Sequence, residues 1–206
     1  MRKIVVPGEL VTEERKRLGR NVYLRDGKIF SEVIGLAVED ETTASVVALE
    51  GRYMPEKGDI VVGIVVGEKF AGYDIDLKYF YKAFVSKKEF MDSLKNHSVV
   101  SARVDKVNEV NEIELSNVRV FYGGIVIGVS PVKVPRIIGK DSSMLEVLKK
   151  GTNSTLVVGK NGLIWAKTDN LALLEKALEK IQRESHLENL TNRISEFLDK
   201  NKKEAK

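Results

Sequence analysis

The sequence predicts a multi-domain chain, mostly β and then α/β: a small β-rich segment, a five-stranded barrel, and a mixed module closed by helices. Three observations carry this. Short alternating apolar stretches separated by turn signals fill the first part of the chain. A nearly unbroken β-branched run, Asp59–Val66, opens a second group of strands. Further on, Leu171, Leu174, Ala177, Leu178 and Ile181 recur at helical spacing. The expected division is 1–55, 56–121 and 122–200, followed by a flexible tail at 201–206.

Composition narrows the function classes. The 206 residues are 43% apolar, enough for real cores, and 31% charged, which marks a solvated surface. A formal net charge of +4 suits a phosphate-bearing partner without requiring one. With no cysteine, disulfide frameworks, thiolate zinc sites and thiol catalysis are excluded. No apolar run reaches membrane-spanning length and no secretory segment opens the chain, so a cytoplasmic protein without a membrane partner is expected.

Within 1–55 the strands are expected at Ile4–Val6, Asn21–Leu24, Ile29–Leu36 and Ser45–Leu49, with Asp26–Gly27 as a hairpin turn. Between them, Glu13–Arg20 carries Arg15, Lys16, Arg17 and Arg20 against Glu13 and Glu14. It reads either as a solvated mixed-charge loop or as a docking surface. So small an all-β segment is expected to lean on a partner for stability.

Barrel strands follow at Asp59–Val66, Tyr73–Leu77, Tyr81–Val85, Val99–Val107 and Glu112–Ser116, with a short helix near Lys88–Leu94. Five strands with a helix between the third and fourth describe an OB-type barrel. The stretches GDIVVGIVVGEKFAGYDIDL, AFVSKKEF, VVSARVDKV and IELS resemble the S1 type of OB fold. That resemblance implies base stacking on Phe70 and Tyr73, which flank Gly72; the alternative is that both rings are barrel core. Ser86 stands where the family often has histidine, which removes one base contact. Lys78, Tyr79, Phe80 and Tyr81 interleave a charge with three rings, of which alternation sends one or two inward. Asp74 and Asp76 share a strand face with no third ligand at useful spacing, so neither a metal nor a cofactor is expected.

The last part reads strand, helix, loop, helix, strand, strand, helix, which is the order of a KH domain. Ile125–Val129 is the first strand, Val134, Ile137 and Ile138 mark a short helix, and Gly139–Lys140–Asp141–Ser142 is the loop. A KH loop clamps a single-stranded backbone, and Lys133, Arg136, Gly139 and Lys140 are the candidate contacts. Ser142 replaces the usual second glycine and Asp141 adds a negative charge, so clamp and structural turn both stay open. Ser143 with Glu146 forms a capping-box pattern for the second helix. Thr155–Val158 and Leu163–Lys167 flank the tight turn Gly159–Lys160–Asn161–Gly162. Asp169 or Asn170 caps the next helix, a last helix spans Leu187–Leu198, and residues 199–206 are expected to fray.

Taken together, VVPGE, DGKIFSEVIGLAV, RYMPEKGDIVVGIV, SPVKVPRIIGK, VGKNGLIWAK and LTNRISEFL resemble the S1/KH type of RNA-binding cap subunit of the archaeal exosome across nearly the whole chain. The resemblance implies a non-catalytic subunit present in three copies on a hexameric ring of RNase PH-like subunits. It would guide single-stranded RNA into the ring for degradation from the 3′ end, with the amino-terminal segment docked on that ring. It implies barrel contacts at Lys69, Phe70, Tyr73, Lys78, Tyr79 and Arg103. It also implies that Gly159, Asn161, Gly162 and Trp165 are structural and pack the KH module against the barrel. The competing reading is a stand-alone RNA chaperone, or a factor associated with translation or transcription. An enzyme is disfavoured, since His97 and His186 lie far apart in sequence and Ser130, Ser142 and Ser143 have no neighbouring base.

Overall fold

The computed structural model describes residues 3–80, 82–88, 93–185 and 187–204, which form two compact units, Met1–Arg52 and Tyr53–Lys206. The expected helix at 88–94 falls largely on residues outside this set, as do Tyr81 and His186.

The first unit contains β1 (Lys3–Val5), β2 (Leu10–Thr12), β3 (Arg17–Leu18), β4 (Val22–Arg25), β5 (Lys28–Ser31), β6 (Gly35–Glu39) and β7 (Thr43–Ala48). They build one sheet in the order β1-β6-β7-β3 and another in the order β2-β5-β4. Val5, Val22, Ile29, Ala44 and Val46 fill the small core. Asp26 and Gly27, both at positive φ, close the β4–β5 hairpin as its turn chemistry demands.

Two expectations for this unit change. The single strand expected at Ile29–Leu36 is two strands, because Ser31 Oγ donates to the Val33 carbonyl (2.6 Å) and turns the chain. The loop Glu13–Arg20 contains β3, which runs parallel to β7 as the sheet edge. Lys16 pins it: Nζ reaches Glu39 (2.8 Å), Glu14 (3.1 Å) and the Asp40 carbonyl (2.8 Å).

In the second unit β8 (Ile60–Glu68), β9 (Gly72–Asp76), β10 (Ala83–Ser86), β11 (Val99–Val107) and β12 (Ile113–Phe121) close into a barrel in the order β10-β12-β11-β8-β9. Alternate residues point inward, so Val61, Val65, Ile75, Leu77, Val85, Val100, Val104 and Leu115 make the core. The fifth strand runs five residues beyond its expected end at Ser116.

The chain continues as β13 (Ile125–Gly128), α1 (Val134–Ile138), α2 (Ser143–Thr152), β14 (Thr155–Val158), β15 (Leu163–Lys167), α3 (Leu171–Arg183) and α4 (Leu190–Glu204). The antiparallel sheet has the order β13-β15-β14. Ile137, Met144, Leu148, Leu156, Ile164, Leu174, Leu178, Ile181 and Ile194 form the core between helices and sheet. Asn170 is the N-cap of α3, its side chain accepting from the Leu173 amide at 3.1 Å.

The expected capping box at Ser143 is absent. Gly139, Asp141 and Ser142 all have positive φ, Ser142 becomes the N-cap one residue ahead of the expected position, and its side chain makes no capping bond. The last helix starts at Leu190, later than expected, and continues to Glu204 where fraying was expected. Asn201 Nδ2 supports that final turn by donating to the Phe197 carbonyl at 2.8 Å. Among the described residues no helix is long and apolar enough to cross a membrane, and there is no cluster of metal-ligating side chains.

Candidate nucleic-acid interface

The barrel and the KH module are joined by a polar latch beside an aromatic seam. β9 pairs with β8 as far as Asp76, opposite Ile64, and then departs, which leaves the start of β8 without a neighbour on that side. The turn 159–162 takes that place. The Lys160 amide donates to the Ile60 carbonyl at 2.8 Å. Asn161 imitates a peptide group: Nδ2 donates to the carbonyls of Val62 (2.7 Å) and Leu77 (2.9 Å), and Oδ1 accepts from the Val62 amide (3.1 Å). The side chain is 3% exposed, so all three bonds are shielded from water.

Both glycines of this turn are required by geometry. A Cβ on Gly159 would lie 2.5 Å from the Val62 amide nitrogen, and Gly162, at φ +81°, would drive one to 2.4 Å from the Val129 carbonyl.

Lys160 adds a charge to the latch. Its Nζ sits 2.6 Å from Asp59 Oδ1 and 3.4 Å from Glu56 Oε2. The other Asp59 oxygen accepts from the Tyr53 hydroxyl (2.8 Å) and the Glu56 amide (3.1 Å). The bond to Asp59 raises the Lys160 pKa above that of a free lysine, and burial followed by the same carboxylate raises that of the Tyr53 hydroxyl. Both groups therefore remain donors at physiological pH.

Beside the latch, Trp165 stacks on Phe121 with centroids 4.5 Å apart and planes at 18°, and its Nε1–H donates to the Gly123 carbonyl (2.9 Å). Val62, Leu163 and Trp165 form the buried centre of this seam.

The candidate RNA contacts divide by exposure. Phe70 stands in the Lys69–Gly72 turn between β8 and β9 with its ring completely exposed (101%), and Lys69 beside it pairs with Asp74 at 2.9 Å. Tyr73 does not serve as a stacking surface. It is 2% exposed, points inward with Ile75 of β9 and Leu77 just beyond it, and Lys87 Nζ lies over its ring at 5.6 Å from the centroid. The surface expectation for Tyr73 is thereby overturned, because strand parity sends its ring into the core.

Tyr79 is half-buried against the barrel core, with Tyr53 edge-on at 6.4 Å and its hydroxyl on Met54 Sδ, and Phe80 rather than Tyr79 points outward (71% exposed). Lys78 and Arg103 are exposed on the barrel. On the KH side Arg136 and Lys140 are exposed while Lys133 and Gly139 are half-buried. Asp141 and Ser142 both adopt left-handed backbone, a conformation that disfavours non-glycine residues. Sequence reasoning did not single out Asp59, Tyr53 and Lys160 as a set. Lys160 lies 101 residues from Asp59, and no local pattern announces such a pair.

Comparison with known proteins supplies the context for this geometry. Residues 2–50 match a family model described as the exosome RNA binding protein RRP4 N-terminal domain, and residues 124–172 match a KH domain model. An exosome complex component Rrp4 from Methanothermus fervidus is 35% identical over 96% of this chain and 95% of its own length. The protein of that name from Pyrococcus furiosus is 37% identical over 96% of this chain and 83% of its own. A crystal structure of a protein provisionally assigned as an exosome complex RNA-binding protein superposes with a TM-score of 0.67 at 26% identity. It covers 76% of this chain and 100% of that one.

Proposed function

This chain belongs to the Rrp4 family of exosome components, and from that premise we propose that it is a non-catalytic RNA-binding cap subunit of an archaeal exosome. The observation that carries the reading is the full-length match, which spans all three parts in one order. In finer detail, three copies sit on a hexameric ring of RNase PH-like subunits in the cytoplasm and guide single-stranded RNA toward it.

Two features support these details. Ile4, Leu36 and Val47 stand side by side on β1, β6 and β7, and Ile4 and Val47 are 62% and 54% exposed. An uncovered aliphatic row suits a protein partner better than a base, which stacks on aromatic rings. On the barrel, Phe70 offers one sequence-tolerant stacking surface, and Lys69 and Arg103 offer phosphate contacts. Each site is weak alone, and three copies raise the overall affinity through effective concentration. The KH loop, carrying Asp141 and Ser142, contributes less than the barrel.

A titration of labelled oligoadenylate against the full chain tests the RNA contact. Phe70→Ala is expected to weaken binding by about 1–3 kcal/mol, the worth of one stacked base, without loss of fold because the ring touches solvent only. Unchanged affinity would remove Phe70 from the site.

A further inference from the structure

We propose that Lys78 and Phe80 form a second subsite for single-stranded RNA at the seam between barrel and KH module, taking a base on the ring and a phosphate on the ammonium. The proposal rests on the RNA-binding reading above and adds a place on the molecule where the strand continues.

Phe80 is a large ring held in water, 71% exposed. It stands on a rigid base: Tyr79 meets it at 5.8 Å and 66°, and Tyr79 in turn rests on Tyr53 at 6.4 Å and 75°. The residues that lead into it are held by burial and hydrogen bonds. Leu77 is fully buried and its carbonyl accepts from Asn161 of the KH turn. Lys78 is locked in left-handed backbone (φ +58°), its amide donating to Asp76 Oδ1 at 2.8 Å. These contacts order the approach to Phe80, and a ring held on an ordered approach loses less entropy when a base stacks on it.

The lysine beside the ring crosses the seam. Its Nζ lies over Gly128 of β13, where a Cβ would come within 2.7 Å. The absence of a side chain at Gly128 is what lets the ammonium lie there while Lys78 as a whole remains exposed. A cation and an aromatic ring two residues apart on one pinned loop provide the two contacts that a nucleotide needs.

This subsite is distinct from Phe70. Phe70 precedes β9 and Phe80 follows it, so the five-residue strand separates them by about 17 Å at ~3.4 Å per residue. That span requires several nucleotides, within the range that a single OB fold covers.

The test is fluorescence anisotropy of labelled oligoadenylate of about ten nucleotides with the full chain, over a series of salt concentrations. Phe80→Ala is expected to weaken binding about five- to hundredfold, and Phe80→Tyr to restore it. Lys78→Ala is expected to lower the magnitude of the slope of log affinity against log salt by about 0.7, as loss of one single-strand phosphate contact does. A merely structural lysine would change affinity and leave the slope. If the unmodified chain binds while Phe80→Ala and Lys78→Ala bind with the same affinity and slope, the subsite is wrong and the RNA-binding reading stands. If the unmodified chain fails to bind at low salt, both fall.

Discussion

Asn161→Ala is expected to destabilise the barrel–KH unit by about 3 kcal/mol or more. The substitution deletes three hydrogen bonds of 2.7–3.1 Å and leaves the Val62 amide and the carbonyls of Val62 and Leu77 buried without partners. Each orphaned group costs about 1–3 kcal/mol where water cannot reach it. The loss falls on β8 at the point where β9 has departed, so no neighbouring strand replaces the amide. Asn161→Asp is expected to do no better, since a carboxylate cannot donate to the two carbonyls and would bury a charge. Urea unfolding followed by tryptophan fluorescence reads the effect at its source, because the chain has one Trp and it lies in the seam. A loss below about 1 kcal/mol would mean that the amide is not the connector described.

Trp165→Ala is expected to cost about 3–5 kcal/mol, the usual range for emptying a buried aromatic site. The indole is 5% exposed, stacks on Phe121 and packs against the buried Val62 and Leu163, so its removal opens a cavity between two modules rather than within one. Trp165→Phe separates the contributions. It keeps a ring on Phe121 but loses the bond to the Gly123 carbonyl and part of the indole's volume, so the expected cost is smaller, about 1–3 kcal/mol. Circular dichroism during urea unfolding measures both variants. Equal stability of Trp165→Ala and the unmodified chain would show that the seam contributes nothing to holding the modules together.

Much of the architecture was legible because alternation and helical spacing are local signals. The barrel strands and the order of the KH elements follow from period-two and period-3.6 patterns that need no knowledge of distant contacts. The same rule already placed Tyr73 correctly: it shares parity with Ile75 and Leu77, and the core claims all three. The surface assignment followed the family pattern instead, and the physical pattern prevails. Phe80 was visible only as one of three adjacent rings, since alternation could not say which would turn outward. The latch was legible only through the family resemblance, which implied that Gly159, Asn161, Gly162 and Trp165 pack the KH module on the barrel, and not through any local pattern. Asn161 reads locally as a turn residue, and its bonds reach groups 84 and 99 residues away. The early start of α2 was hidden for a related reason: left-handed backbone at Asp141 and Ser142 moves the cap from Ser143 to Ser142 without changing any residue type.

The most direct measurement for the account as a whole is made on a reconstituted ring of RNase PH-like subunits, with and without this chain. The chain is expected to co-elute with the ring in gel filtration and to speed the degradation of a single-stranded RNA, while releasing no nucleotides when incubated with that RNA alone. A chain that elutes as a free monomer beside the ring and leaves the rate of degradation unchanged would contradict it.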